Sequence, residues 1–169
     1  MSMTIRAMRR SDLSNVLDIQ SKCYTELEPE SEASFDTKLR LSPTTCFVAC
    51  DEGTVVGYLI AIPWVFANPP ALDAVDIDAP LAADCLYLHD LAVAPEARNS
   101  GAGRALVDQF FPLLKALQLE RACLVAVQSS APYWRRHGFQ TVSETPSLAA
   151  KLASYGSGAQ YMEYLAPQV

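Results

Sequence analysis

The chain has 169 residues, half of them apolar, and carries 13 Lys and Arg against 19 Asp and Glu, a net charge of −6. That length and composition suit one domain, residues 1–169, with a sizeable core. The acidic balance speaks against nucleic acid as a partner, no apolar run approaches the roughly 18 residues of a membrane span, and the start of the chain lacks the apolar segment of a secretion signal.

Residues 3–8 read as a first strand. Ser11 and Asp12 can cap a helix whose apolar positions are Leu13, Val16, Leu17, Ile19 and Cys23. Residues 27–29 interrupt it, and Ser31 can cap a second helix through Phe35 and Leu39 that stops before Pro43. Residues 45–50 and 54–63 read as strands around the turn 51–53, a hairpin signal. Residues 64–83, rich in Pro and Asp, read as a long loop, and long loops in compact domains are often functional.

Residues 86–94 are apolar on both faces except for Tyr87, His89 and Asp90, the pattern of a central strand that Pro95 ends. Strict alternation places Tyr87, His89, Leu91 and Val93 on one face and Leu88 and Asp90 on the other, so that His89 and Asp90 are not a pair. The small polar turn Arg98-Asn99-Ser100-Gly101-Ala102-Gly103 then opens a helix. Helix starts offer unpaired N–H groups and partial positive charge, so this turn is a candidate pyrophosphate cradle. It lacks the Lys-Ser/Thr of a P-loop and the third glycine of a dinucleotide fingerprint.

The helix continues through Leu106, Phe110, Leu113 and Leu117, with Pro112 predicting a kink or break. Residues 122–127 read as a buried strand, 131–137 as a short helix, 139–143 as a strand, 146–158 as a loop or irregular helix, and 159–165 as the last strand. Cys46, Cys50, Cys85 and Cys123 fall on predicted strands without Cys-x-x-Cys spacing, and read as buried apolar side chains in a reducing cytoplasm. Two unclustered histidines predict no metal site.

No Lys or Arg lies between Arg40 and Arg98, an interval that holds Asp73, Asp76, Asp78, Asp84 and Asp90. An earlier acidic run comprises Glu26, Glu28, Glu30, Glu32 and Asp36. Each alone is an ordinary solubilising residue; together they can attract a cationic amine.

The turn from Arg98 to Gly103 resembles the Arg/Gln-x-x-Gly-x-Gly/Ala signature of the GNAT family of N-acetyltransferases. About thirty residues on, Pro132-Tyr133-Trp134-Arg-Arg-His137-Gly138-Phe139 resembles the family's second signature. Leu88-His89-Asp90-Leu91-Ala92-Val93 is similar to a strand of the arylalkylamine (serotonin) N-acetyltransferase branch. The resemblance implies an α/β (α+β) fold: a single mixed, mostly antiparallel central sheet with splayed parallel strands four and five, flanked by helices. It implies acetyl-CoA as co-substrate in the splay and no metal. The backbone of Leu91, Ala92 and Val93 would pair with the pantetheine arm. The N–H groups of Asn99, Ser100, Gly101, Ala102, Gly103 and Arg104 would hold the pyrophosphate, with Arg98 and Arg104 adding charge.

The branch's general-acid tyrosine aligns with Trp134, which has no ionisable proton; Tyr133 is adjacent but about 100° around the helix. A primary amine near pKa 10.4 costs about 4.6 kcal/mol to deprotonate at pH 7, so a base matters more than an acid. His89 is the candidate base and Tyr133 the candidate acid. The resulting expectation is a cytoplasmic enzyme that transfers an acetyl group to a small cationic amine in a ternary complex, without nucleic acid or membrane, with a homodimer left open. The alternatives are a peptide or protein-lysine acetyltransferase, and a non-catalytic acyl-CoA-binding regulator.

Overall fold

The computed structural model describes residues 3–24, 28–127 and 129–167. Seven strands form one sheet in the order β1-β2-β3-β4-β5-β7-β6: β1 (Met3–Ala7), β2 (Cys46–Asp51), β3 (Thr54–Trp64), β4 (Cys85–Val93), β5 (Arg121–Ala126), β6 (Gln140–Thr141) and β7 (Gln160–Leu165). All neighbours are antiparallel except β4 and β5. The β2–β3 hairpin closes on Glu52 (φ 50°) and Gly53 (φ 86°), the double positive φ that a two-residue turn between twisted strands requires. β6 is shorter than its apolar pattern predicts because Phe139 leaves the ladder to enter the core.

Helices α1 (Leu13–Cys23) and α2 (Glu32–Leu41) cover one face, where Val16, Ile19, Phe35 and Leu39 meet Val48, Tyr58 and Ile60. Helices α3 (Ala102–Phe110), α4 (Pro112–Ala116) and α5 (Ala131–Arg136) cover the other, where Leu106, Phe110 and Trp134 meet Leu59, Leu86, Leu124 and Met162. Helix α6 (Pro146–Leu152) packs Leu148 and Leu152 on Tyr87, Cys123 and Tyr161; the segment expected to be irregular is thus a helix, capped by Thr145 Oγ1 accepting from Leu148 N–H at 3.2 Å. The helix after the glycine turn breaks at Phe111, because Pro112 has no N–H to continue the ladder.

Ser31 caps α2, accepting from Ser34 N–H at 3.2 Å. Asp12 does not cap α1. A 3₁₀ turn (Arg10–Asp12) precedes that helix, and Asp12 instead reaches back to Arg9 N–H at 2.7 Å and takes a two-pronged Arg6 contact, each bond 2.8 Å. Among the described residues no helix is long and apolar enough to cross a membrane.

Two local features of β4 shape the functional site. The first is its thin junction with β5, registered only at Leu86–Ala122 and Tyr87–Cys123. Beyond these pairs the strands part. The second is a register shift against β3: Ile60 pairs with Asp90 but Ala61 with Leu88, which leaves His89 as an extra, bulged residue. This corrects the strict alternation expected along the strand. Leu91 and Val93 pack with Leu86 and Leu88 toward α3. His89 and Asp90 both turn to the opposite side, where their partners are Glu30, Tyr24 and Tyr58.

Candidate active site

The parted ends of β4 and β5 open a cavity of about 860 Å³ that runs from the α1–α2 side, past His89, to the start of α3. One edge of β4 is available along it. Ala94 N–H donates to Val56 O at 2.8 Å, so Ala92 and Ala94 direct their backbone groups at β3 and Leu91 and Val93 direct theirs away from it. Their carbonyls are touched from that side by the Tyr24 hydroxyl (3.1 Å to Leu91 O) and the Cys23 thiol (3.2 Å to Val93 O).

At one end lies the glycine turn. Asn99 (φ 66°) and Gly101 (φ 91°) take left-handed backbone conformations that bend the chain into α3. Ser100 N–H is used within the turn, on Ala97 O, and Ala102 N–H leans on Ser100 Oγ at 3.3 Å. The helical ladder starts with Ala105 N–H on Gly101 O, so the N–H groups of Gly103 and Arg104 precede it. A Cβ on Gly103 would stand 3.5 Å from Tyr133 Oη and 3.6 Å from Val93 Cγ2, which puts the Tyr133 hydroxyl at the cradle. Arg98, Arg104 and Arg136 line this end and make it cationic. Burial raises the Tyr133 pKa, and nearby Arg136 offsets part of that rise.

The other end is acidic and built around His89. Its side chain is 1 % exposed, and its Nε2 lies 2.6 Å from Glu30 Oε2. Glu30 Oε1 accepts from Ser34 Oγ and from Asp73 N–H, both at 3.0 Å, and lies 3.6 Å from the fully buried Lys38 ammonium. Burial alone would raise the Glu30 pKa, but His89 and Lys38 outweigh it and hold the carboxylate at about 2. Asp90 lies next to this cluster, accepting from Tyr58 Oη at 2.7 Å with Tyr24 Oη 2.6 Å away. Burial raises the pKa of all three.

The acetyltransferase (GNAT) family profile matches residues 13–139. The chain belongs to the GNAT family. No curated protein matches the sequence. Solved structures do match the fold. The loading GNATL domain of CurA from Lyngbya majuscula superposes with TM-score 0.80 at 13% identity, covering 98% of each chain. Ard1 from Thermoplasma volcanium gives 0.76 at 19% identity, covering 99% of this chain and 100% of its own. The PaiA N-acetyltransferase from Thermoplasma acidophilum, solved in complex with coenzyme A, gives 0.69 at 14% identity over 98% and 99%.

Within this acetyltransferase fold the predicted residues fall together. His89, Leu91, Ala92, Val93, Arg98, Asn99, Gly101, Ala102, Gly103, Arg104 and Tyr133 all line the one cavity; Ser100 does not, its hydroxyl being turned to the backbone of its own turn. Trp134 is a core residue, 7% exposed, with its ring 5.6 Å from that of Phe139. The acidic segments are dispersed. Asp36 pairs with Arg10 and Arg40, Asp73 accepts from Ser31, Asp84 accepts from Phe66 N–H, and of the acidic residues in these runs Glu28, Glu30 and Asp90 line the cavity. Glu26 lies outside the described residues.

Sequence reasoning missed Tyr24, Lys38 and Tyr155, which surround His89 and its partners. One signal was present: Glu30, Ser34 and Lys38 recur every fourth residue, a helical stripe of polar side chains.

Proposed function

We propose that this GNAT enzyme transfers an acetyl group from acetyl-CoA to a small cationic primary amine in a ternary complex. The observation that carries this reading is the polarity of one continuous cavity, cationic at the glycine turn and acidic beyond His89. The residues fit a CoA. The open β4 edge at Leu91 and Val93 suits the amide arm, and the turn from Asn99 to Arg104 suits the pyrophosphate, with Arg98 and Arg104 as counter-charges. Bound acetyl-CoA supplies a thioester whose sulfur leaves as a thiol.

This chain's own groups handle the protons. His89 accepts the proton that a protonated amine must lose, directly or through one water. Tyr133, whose pKa burial raises and which lines the same cavity, serves as the acid in this reading. Glu28, exposed on the cavity wall, attracts the cation. The strand run from Leu88 to Val93 supports kinship with the arylalkylamine branch. Buried, reduced Cys46, Cys50, Cys85 and Cys123 suit a cytoplasmic setting.

The test is thiol release from acetyl-CoA with a panel of arylalkylamines, polyamines and lysine peptides. Turnover with one of the small amines above the peptides supports the reading. Turnover with peptides alone makes the enzyme a peptide acetyltransferase, and no turnover with any amine overturns the enzymatic role.

A further inference from the structure

The contacts of the His89 ring leave an asymmetry. Nε2 is held at 2.6 Å by Glu30, while Nδ1 is buried and has no hydrogen-bond partner among the described residues. Buried polar atoms are almost always paired, so an orphaned ring nitrogen in a cavity-lining residue calls for a reason. A second departure falls on the same residue, since His89 is the extra member of the β4 bulge, and bulges next to functional sites re-aim side chains.

Glu30 is not placed to bind substrate. Oε1 is occupied by Ser34 Oγ, Asp73 N–H and the Lys38 ammonium, and Oε2 faces His89. Two hydrogen-bond donors and the Lys38 ammonium, 3.6 Å away, converge on Oε1, which keeps the carboxylate ionised. An ionised carboxylate can only accept, so the atom opposite Oε2 must carry a hydrogen. We propose that Glu30, locked by Lys38 and Ser34, is a positioning residue that fixes neutral His89 as its Nε2–H tautomer and leaves the Nδ1 lone pair as the proton-accepting atom of the site. This rests on the assignment of His89 as the base.

The proton balance closes within the chain. The amine N–H bond breaks, the proton joins the Nδ1 lone pair, and the resulting imidazolium has Nε2–H on the Glu30 carboxylate. The other groups packed around the ring either stay neutral or are already paired. They are Asp90 at the neighbouring strand position, Tyr24 at the end of α1 in contact with Asp90, Tyr87 with its ring 5.9 Å away, Tyr155 bonded to Tyr87 at 3.2 Å, and Asp73 of the long loop. Glu30 is thus the carboxylate in direct contact with the imidazole.

Nitrogen-15 NMR on the full chain reads the tautomer directly. The chain has two histidines, and a His137→Gln sample assigns the signals. The expected result for the neutral ring is a protonated Nε2 and an unprotonated Nδ1 at His89. Glu30→Gln should collapse this to a mixture and lower kcat/KM by roughly 10²-fold or more. Glu30→Asp, which keeps the charge on a shorter reach, should recover part of both. Glu30→Gln leaves the buried Lys38 charge stranded, so the pair Glu30→Gln with Lys38→Met provides a variant without that fault. An Nδ1–H tautomer in the unaltered enzyme overturns the proposal, as does an unchanged tautomer in the double variant. His89→Gln should cost roughly 10²- to 10⁴-fold. A normal rate there overturns the base assignment itself, while the nitrogen spectrum still decides where Glu30 puts the proton.

Discussion

The Tyr24 hydroxyl sits 2.6 Å from Asp90 Oδ1 and 3.1 Å from Leu91 O, and Tyr58 donates to Asp90 Oδ2 at 2.7 Å. A tyrosine hydroxyl has one hydrogen, so it cannot serve both acceptors at once. With Asp90 protonated every atom is satisfied: Asp90 donates to Tyr24, Tyr24 donates to Leu91 O, and Tyr58 donates to Asp90. Burial raises the Asp90 pKa in the same direction. The folded state then binds a proton that the unfolded chain releases above a pKa of about 3.9. This contribution to stability is full below that value and is lost as pH rises toward the folded pKa. Asp90→Asn should therefore cost less than about 1 kcal/mol and remove that pH dependence, whereas Asp90→Ala should cost about 1–3 kcal/mol by leaving the buried Tyr58 hydroxyl without an acceptor. Urea unfolding at several pH values measures both.

Glu30 carries the opposite sign. Its folded pKa of about 2 lies below the ordinary carboxylate value, so its contribution is present above about pH 4.5 and is lost as pH falls through 2. The shift corresponds to about 3 kcal/mol. Wild-type protein should lose that amount on acidification, and Glu30→Gln with Lys38→Met should not. Lys38→Met alone should cost about 3–5 kcal/mol, since it leaves a buried carboxylate without its cation.

Gly101 and Gly158 share a left-handed φ, +91° and +80°, with open space where a Cβ would go. Alanine at either should cost roughly 1–2 kcal/mol of backbone strain. The melting temperature should fall in both, but only Gly101→Ala should weaken the stabilisation given by added CoA. Gly103→Leu should abolish that stabilisation without comparable backbone strain, because its side chain grows toward Tyr133 and Val93. Equal CoA shifts in all three variants would remove the glycine turn from the binding site.

The acidic wall offers an ionic-strength test. Glu28 lies exposed on the cavity, and surface charges are screened beyond about 10 Å at 0.1 M salt. KM for a cationic amine should rise a few-fold between low and moderate salt, and Glu28→Gln should flatten the rise. A neutral control acceptor should show neither effect.

The glycine turn, the two-faced apolar strand and the aromatic helix were legible because each is a local pattern: small residues at a helix start, apolar side chains on both faces, a proline in the first turn. The Pro112 break and the Ser31 cap were legible for the same reason. What escaped were long-range placements. Strict alternation along 86–94 assigned His89 and Asp90 to opposite faces, because nothing in the strand's own sequence marks a bulge that depends on the register with β3. Lys38 reads as a solvated helix cation until Glu30 and the long loop close over it. Asp12 looked like a cap until Arg6, six residues away on β1, claimed its carboxylate.

The two-pair junction between β4 and β5 also governs how this molecule comes apart. On one side stand β1 to β4, on the other β5, β7 and β6, and the backbone rungs joining them end at Tyr87 and Cys123. Beyond those rungs the halves are held by side chains, through Leu86, Leu88 and Leu124 in the core under α3 and through Tyr87, Cys123 and Tyr161 on the other face. The sheet is therefore a clothes-peg, and its jaws are its least cooperative region. Amides of Leu91 and Val93, which point off the β3 ladder along the open edge, should exchange fast, while those of Leu86 and Tyr87 wait for larger openings. A chain-like ligand lying between the jaws would act as a temporary eighth strand, and the cooperativity of the sheet would then be completed by a molecule the gene does not encode.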